Sequence, residues 1–296
     1  MNTLTSKQQA VVDDESHNRL IIAGPGSGKT TTLLAAVRQS IKYAVTASRT
    51  ALVTFTNAAA KNMADRLGLK LGYCGTLHGL MLRHLNEHGE AIGLSGKVSV
   101  MDEKQADEML AEVSAEMGAK ESTKQLRATV EAVARDSYAA QRSNHSVSSD
   151  RAALVALEYR KRMLESATLD YDSILHFGAL ATLLRPMKFN SMFVDEYQDS
   201  GEWDSIIYAA AHSDEGIMQR TRVGDPDQSI YKFRGANVDG IVRLAGSKGV
   251  SVSYLEQNFR CGERICAAAN ALIQHNVNRV AKQTVNATGH PGSVHH

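Results

Sequence analysis

Residues 20–31, LIIAGPGSGKTT, place Gly24, Gly26 and Gly28 directly ahead of a lysine and two threonines. Without Cβ atoms, the backbone of such a loop can close on a ligand. Its N–H groups then converge on a polyphosphate at the N-terminus of the helix expected from Lys29. Lys29 supplies a cation for the β- and γ-phosphates, and Thr30 supplies a hydroxyl ligand for Mg2+. The segment is read as a P-loop contributed by Ala23, Gly24, Pro25, Gly26, Ser27, Gly28, Lys29, Thr30 and Thr31, with Ala23 standing where most P-loops have their first glycine. Phosphate chemistry at such a loop needs a carboxylate at the end of another strand to organise the metal. The apolar run MFV at 192–194 ends in Asp195 and Glu196. Asp195 is the expected Mg2+ ligand, and Glu196 the general base that orients and deprotonates the attacking water. A third segment, VGDPDQSIYKFRGA, turns at Asp225 and Pro226 and carries Gln228, an amide able to sense a γ-phosphate. Tyr231 and Phe233 alternate there with Lys232 and Arg234, an interleaving that suits stacking on bases with phosphates nearby.

The elements that must position these residues are legible as short apolar runs, each followed by a polar or glycine-bearing turn and then a helical pattern. This is the sequence form of an α/β fold with a parallel sheet. Strands are expected at 20–23, 51–55, 192–194, 222–224 and 250–255. Residues 102–184 are rich in Ala, Glu, Lys, Arg and Met with a period near 3.6, broken by a Ser/Asn stretch at 143–149, and read as a helical insertion. Its charges fit a solvated helix surface. The basic run Tyr159-Arg160-Lys161-Arg162 is its one candidate for phosphate contacts.

The net charge is +1, with Lys+Arg 33 against Asp+Glu 32, so nucleic-acid binding has to come from a local surface. Cys74, Cys261 and Cys266 lack the paired spacing of a zinc site and read as reduced, buried thiols. No apolar run is long enough to span a membrane, and the polar start lacks the apolar core of a signal peptide. A cytoplasmic protein is expected.

In order along the chain, these motifs resemble those of superfamily 1 DNA helicases of the UvrD/Rep/PcrA family. LTSKQQAVV is similar to the adenine-reading Q motif, with Gln8 as reader and Gln9 as the alternative. AGPGSGKT corresponds to motif I. VTFTNAAAKNM resembles motif Ia, whose Thr54, Phe55, Thr56 and Asn57 would lie along a single strand; Asn62 stands where the family usually has Glu. GTLHGL resembles the next DNA-contacting motif, assigned here to Thr76 and His78, with Leu77 and Gly79 replacing the usual Phe and Ser. VDEYQDS corresponds to motif II, and the Gln228 loop to motif III, with Phe233 in place of Trp as the residue that would stack on a base beside Tyr231 and Arg234. YLEQNFRC resembles motif IV: Phe259 would pack on adenine, and Arg260 would reach the γ-phosphate as an arginine finger.

The resemblance implies a RecA-like ATP-binding domain in 1–101 and 185–249, the insertion in 102–184, and the start of a second RecA-like domain in 250–296. It implies ATP and Mg2+ as cofactors, a single strand or a single-strand/duplex junction as partner, and 3′ to 5′ movement in DNA repair or replication. Motifs V and VI have no counterpart here. The expectation is a chain that binds nucleotide but needs a further region or a partner protein to act as a motor. Two other readings share the motifs: a nucleotide-dependent single-strand-binding or regulatory module, and part of a RecB/AddA-type helicase-nuclease.

Overall fold

The computed structural model describes residues 3–43, 46–143, 150–211, 218–230, 238–276 and 279–294. In chain order the elements begin α1 (Ser6–Asp13), β1 (Asn18–Ala23), α2 (Lys29–Tyr43), β2 (Thr50–Thr54), α3 (Asn57–Leu67), β3 (Tyr73–Thr76) and α4 (Leu77–His88). Then come β4 (Ser99–Val100), α5 (Glu103–Glu116), α6 (Thr123–Ser143), α7 (Arg151–Ser166), β5 (Thr168–Leu169) and α8 (Tyr171–Leu184). The chain continues with β6 (Ser191–Val194), α9 (Glu202–Ala210), β7 (Gln219–Gly224), α10 (Val238–Ala245), β8 (Ser251–Leu255), β9 (Gln257–Asn258), α11 (Glu263–Ile273) and β10 (Val285–Asn286).

Two compact units result: residues 1–77, 188–205 and 212–296 form one, and residues 78–187 and 206–211 the other. The first is built on a six-stranded sheet of order β3-β2-β6-β7-β1-β8, every pairing parallel. β1, β2 and β6 are buried along nearly their whole length around the apolar runs LIIA, ALV and MFV, as strands covered on both faces must be. Val11 and Val12 of α1, Leu33, Leu34 and Val37 of α2 and Met63 of α3 pack on Ile21, Leu52, Phe193, Val223 and Leu255 of the sheet.

All five expected strands form. β3, the sixth, was not anticipated, because YCGT has no apolar run and forms a half-buried edge strand paired on one side only. β8, where the sequence reading places the start of a second domain, pairs with β1 from Arg19↔Ser251 to Ala23↔Leu255.

The second unit is largely helical. Asp102, Asp150 and Asp170 cap α5, α7 and α8 by accepting a hydrogen bond from a backbone N–H three residues on. The basic run on α7 is neutralised internally. Tyr159 and Arg160 are buried, with the Arg160 guanidinium over the Phe177 ring. Lys161 pairs with Glu158 and Glu165, and Arg162 with Glu116 and Glu158. Burial withdraws Arg160 from any phosphate-binding face, and Lys161 and Arg162 carry acidic partners beside them.

Candidate nucleotide site and nucleic-acid track

The sheet order decides which loops meet. β8, β1, β7 and β6 are consecutive neighbours and parallel, so the loops leaving their C-terminal ends share one edge, where open α/β sheets bind ligands. The glycine loop leaves β1, Asp195 and Glu196 leave β6, the Gln228 loop leaves β7, and Phe259 and Arg260 follow β8.

Within the loop, Gly26 and Gly28 adopt left-handed φ values of 65° and 80°, conformations that favour glycine. A Cβ on Gly26 would lie 2.8 Å from Arg260 Cβ, and one on Gly28 would lie 2.6 Å from Gln8 Nε2. Ser27 Oγ donates to the Gly24 carbonyl at 2.7 Å, closing the loop on itself. Gln8 is buried: its Nε2 donates to the Ser27 carbonyl at 3.0 Å, and its Oε1 accepts from Thr5 N–H. Gln9 is exposed and bonds Asp13, so Gln8 is the glutamine that reaches the loop. Thr31 accepts from the Arg66 guanidinium of α3.

Lys29 Nζ lies 3.5 Å from Glu196 Oε2. Glu196 holds φ 52°, ψ 44°, an uncommon left-handed conformation for a residue with a side chain. Strain of this kind concentrates at functional sites. Asp195 is buried, and its Oδ1 has no hydrogen-bond partner. Burial first and the neighbouring Glu196 second raise its carboxyl to about 7, against the opposing pull of Lys29. Asp199 rises to about 6 for the same two reasons in the same order. A buried carboxylate oxygen without a donor, beside a second carboxylate, suits a divalent cation. Asp195 with Thr30 is the pair that would hold Mg2+.

Two positioning residues were missed by the sequence reading. Gln198 donates from Nε2 to Glu196 Oε2 at 2.8 Å and accepts at Oε1 from Asp225 N–H at 2.9 Å, joining the β6 and β7 loops. Asn258 donates from Nδ2 to the Pro25 carbonyl at 2.8 Å, while its Oδ1 accepts from the N–H groups of Arg260 and Cys261. Phe259 N–H donates to the Gly26 carbonyl at 2.9 Å. Both residues lie inside quoted motifs, but a glutamine or asparagine that bonds loops from different strands carries no periodic signal.

The family description "UvrD/REP helicase N-terminal domain" matches residues 4–248. The chain belongs to the UvrD/Rep helicase family. It is 30% identical to DNA helicase II of Escherichia coli over 322 residues, covering 100% of this chain and 44% of that protein. It is 29% identical to the ATP-dependent DNA helicase PcrA of Bacillus subtilis over 311 residues, covering 95% and 41%. The chain thus spans less than half the length of these relatives.

In this UvrD/Rep chain the candidate nucleic-acid residues are placed unevenly. Phe55, Thr56 and Asn57 are exposed beyond the end of β2, and Thr56 also caps α3 by accepting from Ala59 N–H. Thr54 is buried instead: as the last residue of a central strand it faces the interior, and the structure does not bring it to the surface. The Thr76 carbonyl accepts from Tyr73 Oη at 2.6 Å. Tyr231, Phe233 and Arg234 lie outside the described residues. In the helical unit, His78 stacks on Tyr171 with centroids 3.8 Å apart and planes 14° from parallel. Tyr171 is 59% exposed, an aromatic surface that the sequence reading did not pick out.

Burial holds the His78 imidazole neutral, lowering its pKa to about 4. A base whose folded pKa lies below its unfolded value of about 6.5 contributes stability that is complete above about pH 6.5 and is lost as pH falls toward 4. His78→Phe keeps a ring against Tyr171 and removes the titration. Between pH 7 and pH 4.5 the variant is expected to lose less stability than the wild type, by on the order of 2 kcal/mol. Urea midpoints at the two pH values check this, and equal losses would refute the assignment.

Proposed function

We propose that this chain is the ATP-binding and hydrolysing part of a DNA helicase that moves 3′ to 5′ on single-stranded DNA. The observation that carries the reading is the convergence on one sheet edge of a left-handed glycine loop, a Lys29–Glu196 contact at 3.5 Å and a buried, donor-free Asp195 oxygen. Arg260 seated against Gly26 supports it further.

In this reading the loop N–H groups and Lys29 bind the β- and γ-phosphates, and Gln8 orients the loop against the base, with Phe259 as the stacking surface. Glu196, aimed by Gln198 and by its own backbone strain, orients the attacking water and takes its proton. Gln228 reads the γ-phosphate, and Arg260 neutralises charge as it develops on the transferred group. Mg2+, when bound by Thr30 and Asp195, supplies charge neutralisation across the phosphates. In the sheet-bearing unit Phe55, Thr56, Asn57 and Thr76 contact a single strand, with Tyr231, Phe233 and Arg234 as further members; within the helical unit His78 and Tyr171 offer a ring surface to a base. Unwinding at a single-strand/duplex junction needs a second domain that closes on the nucleotide.

The test is ATP turnover of the full-length protein with and without a single-stranded oligonucleotide, since a track that shares its sheet with the ATP site couples the two ligands. At least about tenfold stimulation is expected, equivalent to a coupling of about 1.4 kcal/mol. Turnover indifferent to the strand would leave a nucleotide-binding module without motor function as the better reading.

A further inference from the structure

The Gln228 loop is anchored from a segment that no motif covers. Asp225 is fully buried. It accepts at Oδ2 from Gln228 Nε2 at 2.5 Å and at Oδ1 from Asp227 N–H at 3.0 Å. The cation opposing it is Lys282: Nζ lies 2.5 Å from Asp225 Oδ1 and also contacts Asp227, with the Lys282 side chain only 4% exposed. Arg279 joins Asp227 Oδ2 at 3.1 Å. Two carboxylates and two cations, largely withdrawn from water, sit directly under the amide assigned to the γ-phosphate.

This segment is firmly held. Asn270 of α11 exchanges two hydrogen bonds with the Thr284 backbone. β10 pairs with β9, setting Val285 opposite Gln257 and Asn286 opposite Asn258, so Lys282 enters three residues before the partner of the strand whose Asn258 holds the Arg260 N–H. Its Cε and Thr284 Oγ1 lie 3.9 Å and 3.3 Å from where a Cβ on Gly24 would stand. The same short segment therefore lies beside the P-loop, holds the Gln228 loop and pairs with the strand before Arg260.

We propose that Lys282 is a positioning residue of the ATP site: by holding Asp225 and Asp227 it fixes Asp225 as the acceptor that orients the Gln228 amide, and so ties γ-phosphate sensing to the segment after α11. This rests on the reading of Gln228 as the γ-phosphate sensor. A buried charge pair is costly to break because it strands the remaining charge, and a sensor displaced by about 1 Å can lose on the order of 100-fold in rate. Lys282 contacts neither substrate nor metal in this account. Its removal therefore acts on turnover through Gln228, with nucleotide affinity left to the P-loop.

The experiment compares Lys282→Arg, Lys282→Gln and Lys282→Met in the full-length protein, with and without Gln228→Ala, measuring kcat for strand-stimulated ATP hydrolysis and Kd for a fluorescent ATP analogue. Lys282→Gln retains a donor and decides the matter should Lys282→Met not fold. Expected are a fall in kcat of about 10- to 100-fold for the neutral variants, Kd within about threefold of wild type, recovery to within about threefold with Lys282→Arg, and no further loss when Lys282→Gln is added to Gln228→Ala. Multiplying losses in that double variant, or unchanged kcat in Lys282→Gln, overturn the proposal while the helicase reading stands. A wild type whose ATP turnover survives Lys29→Ala overturns both.

Discussion

Replacing Lys29 by Ala or Glu196 by Gln is expected to reduce ATP turnover by about 100- to 10,000-fold, and the two variants should differ in binding. Lys29, in the glycine loop, is assigned to both ground-state and transition-state phosphate contacts. Lys29→Ala therefore loses nucleotide affinity together with rate. It also leaves Glu196 without the ammonium 3.5 Å from its Oε2, so the carboxylate cluster repels polyphosphate more strongly. Glu196→Gln keeps the shape and the hydrogen bond to Gln198 within reach, and removes the proton acceptor together with the negative charge facing Lys29. Nucleotide affinity should stay within about threefold while kcat falls by the amount that a positioned base contributes. Single-turnover hydrolysis alongside equilibrium binding separates the two. Glu196→Gln with wild-type turnover would remove the residue from the mechanism.

Asp195→Asn should abolish Mg2+-dependent turnover and yet stabilise the fold. Burial and Glu196 raise the Asp195 carboxyl from 3.8 to about 7, so the folded chain binds this proton more tightly than the unfolded one. Stability contributed by the neutral form is present at acid pH and is lost as pH rises from about 4 through 7. At pH 8, without metal or nucleotide, the wild type carries the full penalty of a buried carboxylate. Asparagine carries none, and the variant should gain up to a few kcal/mol there, at 1.36 kcal/mol per unit of pKa, with little gain at pH 4. Thermal melts at both pH values in a chelating buffer check the sign. An Asn variant less stable than wild type at pH 8 would mean that the carboxylate is better satisfied than its donor-free Oδ1 indicates. Opposed effects on stability and activity are expected wherever a site keeps a charge poised for a ligand.

Much of this was legible in the residues. The glycine loop, its lysine and the acidic pair are local in sequence, and each carries its own backbone signal: a strand, a turn that needs glycine, a helix start. The periodicities likewise marked the strands and the helical stretch. Where sequence reasoning failed, the cause was a contact made far along the chain. β3 is an edge strand with no apolar run. Thr54, within an expected contact motif, ends a buried strand. The basic run at 159–162, read chiefly as a solvated helix surface, pairs Arg162 with Glu116 of α5 as well as with its own-helix neighbour Glu158, and only the second of these partners is local.

The sequence by itself therefore set out the chemistry to expect. The phosphate-binding loop, its lysine, the metal-binding carboxylate and the base were read from side-chain type and short-range spacing, and the arginine finger from the family resemblance. Only the tertiary structure decided their arrangement. The order β6-β7-β1-β8 placed four distant loops on one edge, and long-range hydrogen bonds and ion pairs chose Gln198, Asn258 and Lys282 to align them. Strand order and such pairings minimise the free energy of the whole chain, by burying both faces of the sheet and pairing charges such as Asp225 and Lys282 that it withdraws from water, and no local window of sequence contains that sum.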